Sequence, residues 1–385
     1  MQFEFSTVAR IIFGSGKLNS IGGIASEFGK SAFIVTGGPK SISDRLVNLL
    51  EAQEISCSIV KIEQEPTIDL IRTLVNLARQ TSPDLVIGLG GGSALDTAKA
   101  IAVLKSNPGE ITDYLEVIGL HKPILNPSLP LIAIPTTSGT GAEVTKNAVI
   151  SSTQHNIKVS LRSSYLLPKI ALVDPELSVS VPPLITAFTG LDALTQLIEP
   201  FTCNDPNPLT DVLCREGIQR IARSIYQVFD NGVDLQAREE MSIASLFGGL
   251  ALSNAKLGAI HGLAGPIGGE IPAPHGAICA CLLPIVMKAN LSAITERAPG
   301  HPALKRYNLI GKILSSDPTA NADAGIQWIQ NFCLHAKIPP LSAYGLTGEK
   351  FDIIMEKAVI SSSMKGNPIR LSLVEMRAIL QKSLQ

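Results

Sequence analysis

The apolar positions in the first half of the chain follow two alternating periods. Short β-branched runs predict strands at residues 31–36 and 85–89. Apolar residues spaced three and four apart predict helices at residues 68–80 and 94–105. Strands that alternate with helices are typical of a parallel sheet with crossover connections. The pattern therefore predicts an α/β fold class for this half.

The pattern changes after about Pro182. From there the apolar period is almost wholly helical, and it predicts helices at residues 187–198, 211–229 and 238–254. The turn at Pro182 and Pro183 is the best candidate boundary. We therefore expect two domains, an α/β domain at residues 1–181 and an α-helical domain at residues 182–385, and a chain of 385 residues is long enough for both.

Composition and charge narrow the range of partners. Hydrophobic residues make up 45% of the chain and charged residues 17%, which allows large cores and argues against disorder. Lys and Arg total 32 against 33 Asp and Glu, with no basic run to attract nucleic acid or an anionic membrane. We therefore expect a small-molecule ligand, with no nucleic-acid partner and no membrane partner.

Two further features favour a cytoplasmic protein. The first residues lack a cationic segment followed by an apolar stretch, and no uncharged apolar stretch reaches the roughly 18 residues of a membrane span. The six cysteines are too few and too scattered for a disulfide framework. We expect all six to be reduced.

A glycine-rich turn at residues 90–93 follows a predicted buried strand and precedes a predicted helix. Glycines at such a turn let the backbone approach a pyrophosphate, and the helix N-terminus directs N–H groups at the anion. The segment has neither the six-residue dinucleotide fingerprint nor the Walker ending. The alternative is a tight turn in which Ser93 is only a helix N-cap.

A second polar segment follows the apolar residues 132–134. It contains three consecutive hydroxyl side chains, at Thr136, Thr137 and Ser138. These residues are suited to a ribose, an amide or a base, although a hydroxyl-rich loop is often only a solvated turn. Ligands of open α/β sheets bind beyond the carboxyl ends of the strands, so a shared sheet favours one nucleotide site for both loops.

A sparse set of polar residues in the second half suggests a metal site. Asp192 and Gln196 are four residues apart and share one helix face, while His261 and His275 lie in one glycine-rich stretch. Oxygen and nitrogen ligands of this kind suit Fe(II) or Zn(II) and leave room for a substrate oxygen. The alternatives are an acid that complements a helix dipole and histidines bonded to loop carbonyls.

Taken together, these segments resemble the iron-containing (group III) alcohol dehydrogenase family, which is related to glycerol dehydrogenase and dehydroquinate synthase. The resemblance is carried, in order along nearly the whole chain, by residues 90–99, 135–145, 173–176, 190–194 and 261–275. It implies an N-terminal Rossmann-like parallel-sheet domain that binds a dinucleotide, followed by an all-α C-terminal domain. It also implies NAD(P) and either Fe(II) or Zn(II) as cofactors, and a homodimer.

The resemblance assigns roles residue by residue. The residues that match the cofactor-binding positions are Gly91, Gly92 and Ser93 for the pyrophosphate, Asp96 near the nicotinamide, Thr136, Thr137 and Ser138 along the cofactor, and Lys158 at the nicotinamide ribose. Asp192, His261 and His275 match three of the four metal-ligand positions and are the expected catalytic residues.

Two departures from the family pattern concern the metal. The fourth ligand position, often histidine, is Gln196, and a further active-site histidine found in many relatives is Gly265. An amide oxygen is neutral and a weaker ligand than imidazole for Fe(II) or Zn(II). Gln196 is expected to complete the site, and three outcomes follow from its weaker ligation: looser metal binding, a metal of another kind, or no metal in the purified protein.

A third departure concerns the choice of cofactor. NAD-preferring relatives often place an acid after the second strand, where this chain has Gly37, Gly38 and Lys40. Without a carboxylate to repel it, a 2′-phosphate is tolerated, and Lys40 can pair with it. We expect NADP(H) to be accepted, and a preference for NADP(H) over NAD(H) is the stronger form of this expectation.

The resulting hypothesis is a metal-dependent, NAD(P)-linked alcohol dehydrogenase or aldehyde reductase. The metal polarises the oxygen of a small alcohol or aldehyde, and hydride passes directly to or from the nicotinamide. One alternative is metal-independent reduction of a ketoacid, similar to maleylacetate reductase. The other is a nucleotide-binding protein without turnover.

Overall fold

A computed structural model describes residues 2–385, which form two compact units. The first unit comprises residues 6–137 and 141–180 and is called the α/β unit below. The second comprises residues 2–5, 138–140 and 181–385 and is called the helical unit. The segment 138–140 thus belongs with the C-terminal helices, although it lies in the first half of the sequence.

The α/β unit contains eight strands, which are β1 (Arg10–Phe13), β2 (Ser31–Thr36), β3 (Ser56–Lys61), β4 (Leu85–Gly90), β5 (Leu131–Pro135), β6 (Asn147–Ser152), β7 (Ile157–Arg162) and β8 (Ile170–Val173). Six of them form one sheet in the order β1-β8-β5-β4-β2-β3, and every neighbouring pair is parallel. The other two, β6 and β7, form an antiparallel hairpin. The predicted parallel sheet is confirmed.

Helices of the α/β unit cover its sheet. They are α1 (Ile21–Ser26), α2 (Lys40–Glu51), α3 (Ile68–Thr81), α4 (Gly92–Ser106) and α5 (Ile111–Tyr114). Strand β4 is buried along its whole length, as expected for a central parallel strand. A Cβ on Gly88 in β4 would lie 2.9 Å from the Cβ of Ala98, so this glycine lets α4 pack closely on the sheet.

The helical unit contains no strand among its described residues. Its helices are α6 (Pro183–Thr202), α7 (Pro208–Asp230), α8 (Leu235–Asn254), α9 (Ala259–Glu270), α10 (His275–Arg297), α11 (Ala303–Ser315), α12 (Ala322–His335), α13 (Phe351–Ile360) and α14 (Leu373–Lys382). The predicted all-α second half is confirmed. Each of the helices α7 and α8 is preceded by a capping residue. The side-chain oxygen of Asn207 accepts from the backbone N–H of Thr210 in α7, and that of Asp234 accepts from the backbone N–H of Ala237 in α8.

A buried arginine fixes the start of α6, the helix that carries Asp192 and Gln196. Arg238 is only 3% exposed, and its guanidinium donates to the carbonyl oxygens of Val181 and Gly232 and to the hydroxyl of Thr186. Burial lowers the pKa of Arg238 to about 10, so the group stays cationic at neutral pH. The first turn of α6 is therefore tied to the N-terminal end of α8.

Helix α10 is long and apolar enough to cross a membrane by length and composition alone. In the helical unit, 67% of its apolar window is buried. Its apolar residues belong to the core that α6, α7 and α9 share. This burial is what the central helix of a folded helical core shows.

A buried carboxylate joins two loops of the α/β unit. Asp174 follows β8 and is 2% exposed. Its Oδ1 accepts from the backbone N–H of Gly16 at 3.0 Å and of Glu176 at 3.1 Å, and its Oδ2 accepts from Leu18 at 2.9 Å. Both carboxylate oxygens are therefore required, and together they satisfy three backbone donors.

Replacing Asp174 with asparagine should lower the free energy of unfolding by about 2 kcal/mol, because one amide N–H would then face a backbone N–H. Asp84 is the matched control, since its single Oδ2 accepts from both Lys30 and Ser31 and it is exposed. The change Asp84→Asn should cost less than about 1 kcal/mol. Urea unfolding followed by circular dichroism measures both variants, and equal losses would contradict this account.

Candidate metal centre and cofactor loops

The predicted cofactor loops meet at one edge of the sheet. Strands β2, β4 and β5 are neighbours, and their carboxyl ends lead into Gly37, Gly91 and Thr136. The backbone N–H of Gly37 donates to Leu89 at 2.9 Å, and that of Thr136 donates to Gly90 at 3.0 Å. The three loops are therefore held together by main-chain hydrogen bonds at the edge where open α/β sheets bind ligands.

Close packing requires glycine at the end of β4. Gly90 has φ 153°, and a Cβ there would lie 2.7 Å from the Cβ of Ala94 and 3.1 Å from the amide nitrogen of Gly37. A Cβ on Gly91 would lie 3.2 Å from the hydroxyl oxygen of Thr137. A side chain at either position would push the loops apart or fill the space in front of helix α4.

Helix α4 begins at Gly92, and Gly91 is its N-cap, without a side-chain cap hydrogen bond. Ser93 therefore lies inside the first turn and is not the N-cap. Backbone N–H groups in the first turn of a helix have no partner within the helix. With no side chain capping them, those of Gly92 and Ser93 suit an anionic group.

The two predicted cofactor lysines each contact an acid. Lys40 opens α2, is exposed, and its Nζ lies 2.7 Å from Asp44 Oδ2. Lys158 lies on β7, and its Nζ lies 2.6 Å from Glu65 Oε2. Sequence reasoning missed both acidic partners. An incoming phosphate or ribose would have to compete with these ion pairs.

Asp96 is held by two contacts within the α/β unit. Its Oδ2 accepts from the backbone N–H of Val149 at 2.9 Å, and its Oδ1 lies 3.5 Å from Lys99 Nζ. Burial raises the pKa of Asp96, and the Lys99 ammonium partly offsets that effect. Lys99 itself is buried and donates to Thr145 Oγ1 at 2.6 Å and to the carbonyl of Asn147 at 2.9 Å. Sequence reasoning gave Lys99 no role, yet it joins α4 to the hairpin.

Ser138 belongs to the helical unit rather than to the sheet. Its hydroxyl lies 3.0 Å from the hydroxyl of Ser242 on α8. The neighbouring Gly139 packs against α6, because a Cβ there would lie 2.7 Å from the Cβ of Thr189. The hydroxyl loop therefore divides, with Thr136 and Thr137 in the α/β unit and Ser138 in the helical unit.

The predicted metal residues converge in the helical unit. Helix α6 carries Asp192, α9 carries His261, and His275 is the first residue of α10. The Nε2 atoms of His261 and His275 lie 3.7 Å and 3.8 Å from Asp192 Oδ1. Together with Cys279, which sequence reasoning missed, one ligand atom from each residue lies within 4.8 Å of all the others. It is the one such cluster of His, Cys, Asp and Glu side chains across residues 2–385.

The residues present fit a divalent metal. Asp192 Oδ1 and Gln196 Oε1 are fully buried and have no hydrogen-bond partner. A buried carboxylate oxygen without a donor is costly unless a cation satisfies it. Two imidazoles and a carboxylate are also the donor set that iron and zinc prefer.

Gln196 acts on Asp192 in this structure. Its Nε2 donates to Asp192 Oδ2 at 2.9 Å. Its Oε1 lies on the side of α8, 3.5 Å from where a Cβ on Gly248 would be. The amide thus holds the carboxylate in place, and direct metal ligation by Gln196 stays a prediction.

Glu199 is a second residue that sequence reasoning missed. Its Oε2 accepts from His261 Nδ1 at 2.6 Å, and its Oε1 accepts from the backbone N–H of Ile260 at 2.7 Å. Burial lowers the pKa of His261, but Glu199 and Asp192 outweigh burial and raise it to about 10. Because Nδ1 donates to Glu199, Nε2 is left facing Asp192. Glu199 lies seven residues after Asp192, two turns along the same helix, and that spacing could have revealed it.

Gly265 leaves open space on α9. Nothing lies within 4 Å of where its Cβ would be. The position is one turn after His261 on the same helix, so the chain offers no imidazole where many relatives are expected to have one.

Comparison with known proteins agrees with this geometry. Residues 8–175 match the family described as "Iron-containing alcohol dehydrogenase", and residues 186–384 match "Fe-containing alcohol dehydrogenase family, C-terminal". Together the two matches span nearly the whole chain.

Individual relatives are similar over almost their full length. Alcohol dehydrogenase 4 of Saccharomyces cerevisiae is 33% identical, covering 96% of both chains. The NADPH-dependent butanol dehydrogenase of Clostridium saccharobutylicum is 32% identical, covering 98% of this chain and 97% of that protein. A crystal structure of 1,3-propanediol oxidoreductase has a TM-score of 0.91 and 30% identity, with 100% of both chains covered. The chain is therefore an oxidoreductase that belongs to the iron-containing alcohol dehydrogenase family.

Proposed function

We propose that the protein interconverts small alcohols and aldehydes with NAD(P), using a metal ion held by Asp192, His261 and His275. The observation that carries this proposal is the convergence of two imidazole Nε2 atoms on a buried carboxylate oxygen without a hydrogen-bond donor. Membership of the alcohol dehydrogenase family supports it. In this proposal the α/β unit carries the cofactor-binding residues other than Ser138, and the helical unit carries Ser138 and the metal-binding residues.

The protein side chains hold the reacting groups in fixed orientations. Glu199 fixes the His261 ring through Nδ1, and Gln196 fixes the Asp192 carboxylate through Oδ2. Such outer partners set the direction of the ligand atoms. A bound Fe(II) or Zn(II) ion supplies Lewis acidity toward the substrate oxygen, and the nicotinamide supplies the hydride acceptor or donor. These residues are therefore the catalytic and positioning groups of the proposed reaction.

The cofactor loops have separate tasks in this proposal. The first-turn N–H groups of Gly92 and Ser93, with space kept by Gly91, bind the pyrophosphate. Thr136, Thr137 and Ser138 contact the cofactor along its length. Asp96 lies near the nicotinamide, and Lys158 contacts the nicotinamide ribose. Lys158 must exchange its contact with Glu65 for a ribose hydroxyl.

The proposed cofactor preference includes NADP(H). Gly37 and Gly38, after β2, place no carboxylate where an NAD-selective acid would stand, and Lys40 follows at the start of α2. The relative from Clostridium saccharobutylicum is named as NADPH-dependent, which supports acceptance of the 2′-phosphate. The expected homodimer and cytoplasmic location stay predictions.

Metal reconstitution tests the proposed function directly. Protein reconstituted anaerobically with Fe(II) or Zn(II) and then desalted should retain about one metal equivalent, because three side chains converge on one point. Asp192→Ala should lose both the metal, measured by mass spectrometry, and alcohol-dependent formation of NADPH. The control Asp323→Ala removes an exposed carboxylate of the same unit that pairs with Lys288.

Other results would favour the alternatives. Full activity on an anionic ketoacid after chelation would indicate metal-independent reduction instead. Cofactor binding without turnover on any alcohol or aldehyde would indicate a nucleotide-binding protein.

Glu199→Gln should weaken metal binding about 10-fold to 100-fold, because the single amide oxygen cannot serve both Ile260 and His261. Chelator competition measures the change in metal affinity. Glu296→Gln, an exposed substitution on α10, is the control and should leave the affinity unaltered. Unchanged affinity in Glu199→Gln would mean that Glu199 does not orient His261 toward the metal.

Lys40→Ala should raise the KM for NADPH about tenfold and leave the KM for NADH nearly constant, since only NADPH carries the 2′-phosphate. Steady-state kinetics with both cofactors gives the ratio. Lys30→Ala, at the opposite end of β2, is the matched control. A much higher kcat/KM with NADH than with NADPH in the unmodified protein would refute the preference.

A further inference from the structure

Cys279 lies one helical turn after His275 on α10, and both side chains face the metal cluster. We propose that the Cys279 thiolate is the fourth protein ligand of the metal, which makes the centre an Asp-His-His-Cys site. This inference rests on the proposed function, because it concerns the same metal. Neither the resemblance to the family nor the sequence pattern assigned this cysteine a role.

The distances within the cluster fit coordination. With zinc–sulfur bonds of about 2.3 Å and zinc–nitrogen bonds of about 2.0–2.1 Å, two ligands of a tetrahedral centre lie about 3.6 Å apart. The observed distance from Cys279 Sγ to His275 Nε2 is 3.6 Å. For a carboxylate and an imidazole the same geometry gives about 3.4 Å. The observed 3.7 Å and 3.8 Å from Asp192 Oδ1 to the two imidazoles are close to this value.

A second, independent observation points to a ligand at this place. Asp192 is 2% exposed, and its Oδ1 has no hydrogen-bond partner although it faces both imidazoles. Cys279 is fully buried beside it. A cation bound among these atoms would satisfy the unpaired carboxylate oxygen and would gain an anionic sulfur at the same time.

Gln196 is less well placed for direct ligation than Cys279. Its amide nitrogen is engaged with Asp192 Oδ2, and its buried amide oxygen, which has no hydrogen-bond partner, lies toward Gly248 on α8. An amide oxygen is also a neutral ligand, whereas a thiolate is anionic and soft. Gln196 is therefore the positioning residue for Asp192, and Cys279 supplies the ligand that a histidine supplies in many relatives.

The neighbouring cysteine on α10 shows that the placement is specific. Cys281 lies two residues further along the helix, and its Sγ contacts the carbonyl oxygen of Ser383 at 3.6 Å. It takes no part in the metal cluster. Cys281 is therefore a matched control for a sulfur on the same helix outside the centre.

The chemical step is a replacement of protons by a metal ion. The Sγ–H bond of Cys279 and the Nε2–H bond of the protonated His261 ring break, both protons pass to solvent, and the two freed electron pairs bond to the metal. No electron is transferred, so no oxidant or reductant is needed. A soft sulfur ligand increases the preference of the site for zinc-like ions over harder ones.

Cobalt substitution tests the assignment through a readout other than activity. Protein loaded anaerobically with one equivalent of Co(II) should show a sulfur-to-cobalt charge-transfer band in the near ultraviolet. The band should disappear in Cys279→Ser while most of the Co(II) is retained, and it should persist in Cys281→Ser. It should also persist in Gln196→Leu, in which the amide is removed and the cysteine remains.

The outcomes separate this inference from the proposed function. Co(II) retained at one equivalent without the band in the unmodified protein overturns sulfur ligation and leaves the metal site intact. A band that survives Cys279→Ser also overturns the assignment, since another sulfur would then be the ligand. Loss of bound Co(II) from the unmodified protein overturns both proposals. If Cys279→Ser does not fold, Cys279→Ala and the spectrum of the unmodified protein decide the matter.

Discussion

The helical unit depends on one electrostatic constraint, which is a carboxylate buried in an apolar core. Asp192 lies among the apolar residues of α6, α9 and α10. Burial acts to raise the pKa of Asp192, but His261 and His275 outweigh it and hold the pKa below its ordinary value. A charge in this place is stable only when every lone pair finds a partner. Gln196 donates a hydrogen bond to Oδ2 of Asp192, whereas Oδ1 has no hydrogen-bond donor and is placed to bind a cation.

In the α/β unit the limiting factor is the space between the cofactor loops, rather than a buried charge. Its cofactor loops approach so closely that a single Cβ at Gly90 would collide with Ala94 and crowd the backbone of Gly37. The same closeness leaves the first turn of α4 open to an anion. Glycine is required there because the loop must be tight and the space in front of it must stay empty.

Much of the architecture could be predicted from local periodicity. Strand β2 has the predicted bounds, helix α3 ends one residue later than predicted, and helix α4 begins two residues earlier and ends one residue later. Asp192, His261 and His275, on α6, α9 and α10, lie close together, while their role as metal ligands stays a prediction. Local periodicity could not place Ser138 with the helical unit, because that depends on contacts with Ser242 and Thr189, far along the chain. Cys279 was missed because a buried cysteine on an apolar helix resembles ordinary core until the opposing helix is known. Glu199 was different, because its two-turn spacing from Asp192 already placed both acids on one face of the helix.

The contacts of Arg238 with the start of α6 determine how this helix responds to salt and to acid. Arg238 holds the start of that helix through the carbonyl oxygen of Val181 and the hydroxyl of Thr186, both of them neutral. Buried contacts of this kind are little screened by dissolved ions, and neutral acceptors have no carboxyl proton to gain in mild acid. Salt screens the exposed ion pairs of the surface, and acid protonates their carboxylates. Neither change breaks the contacts of Arg238, so α6, which carries Asp192, stays fixed at its first turn.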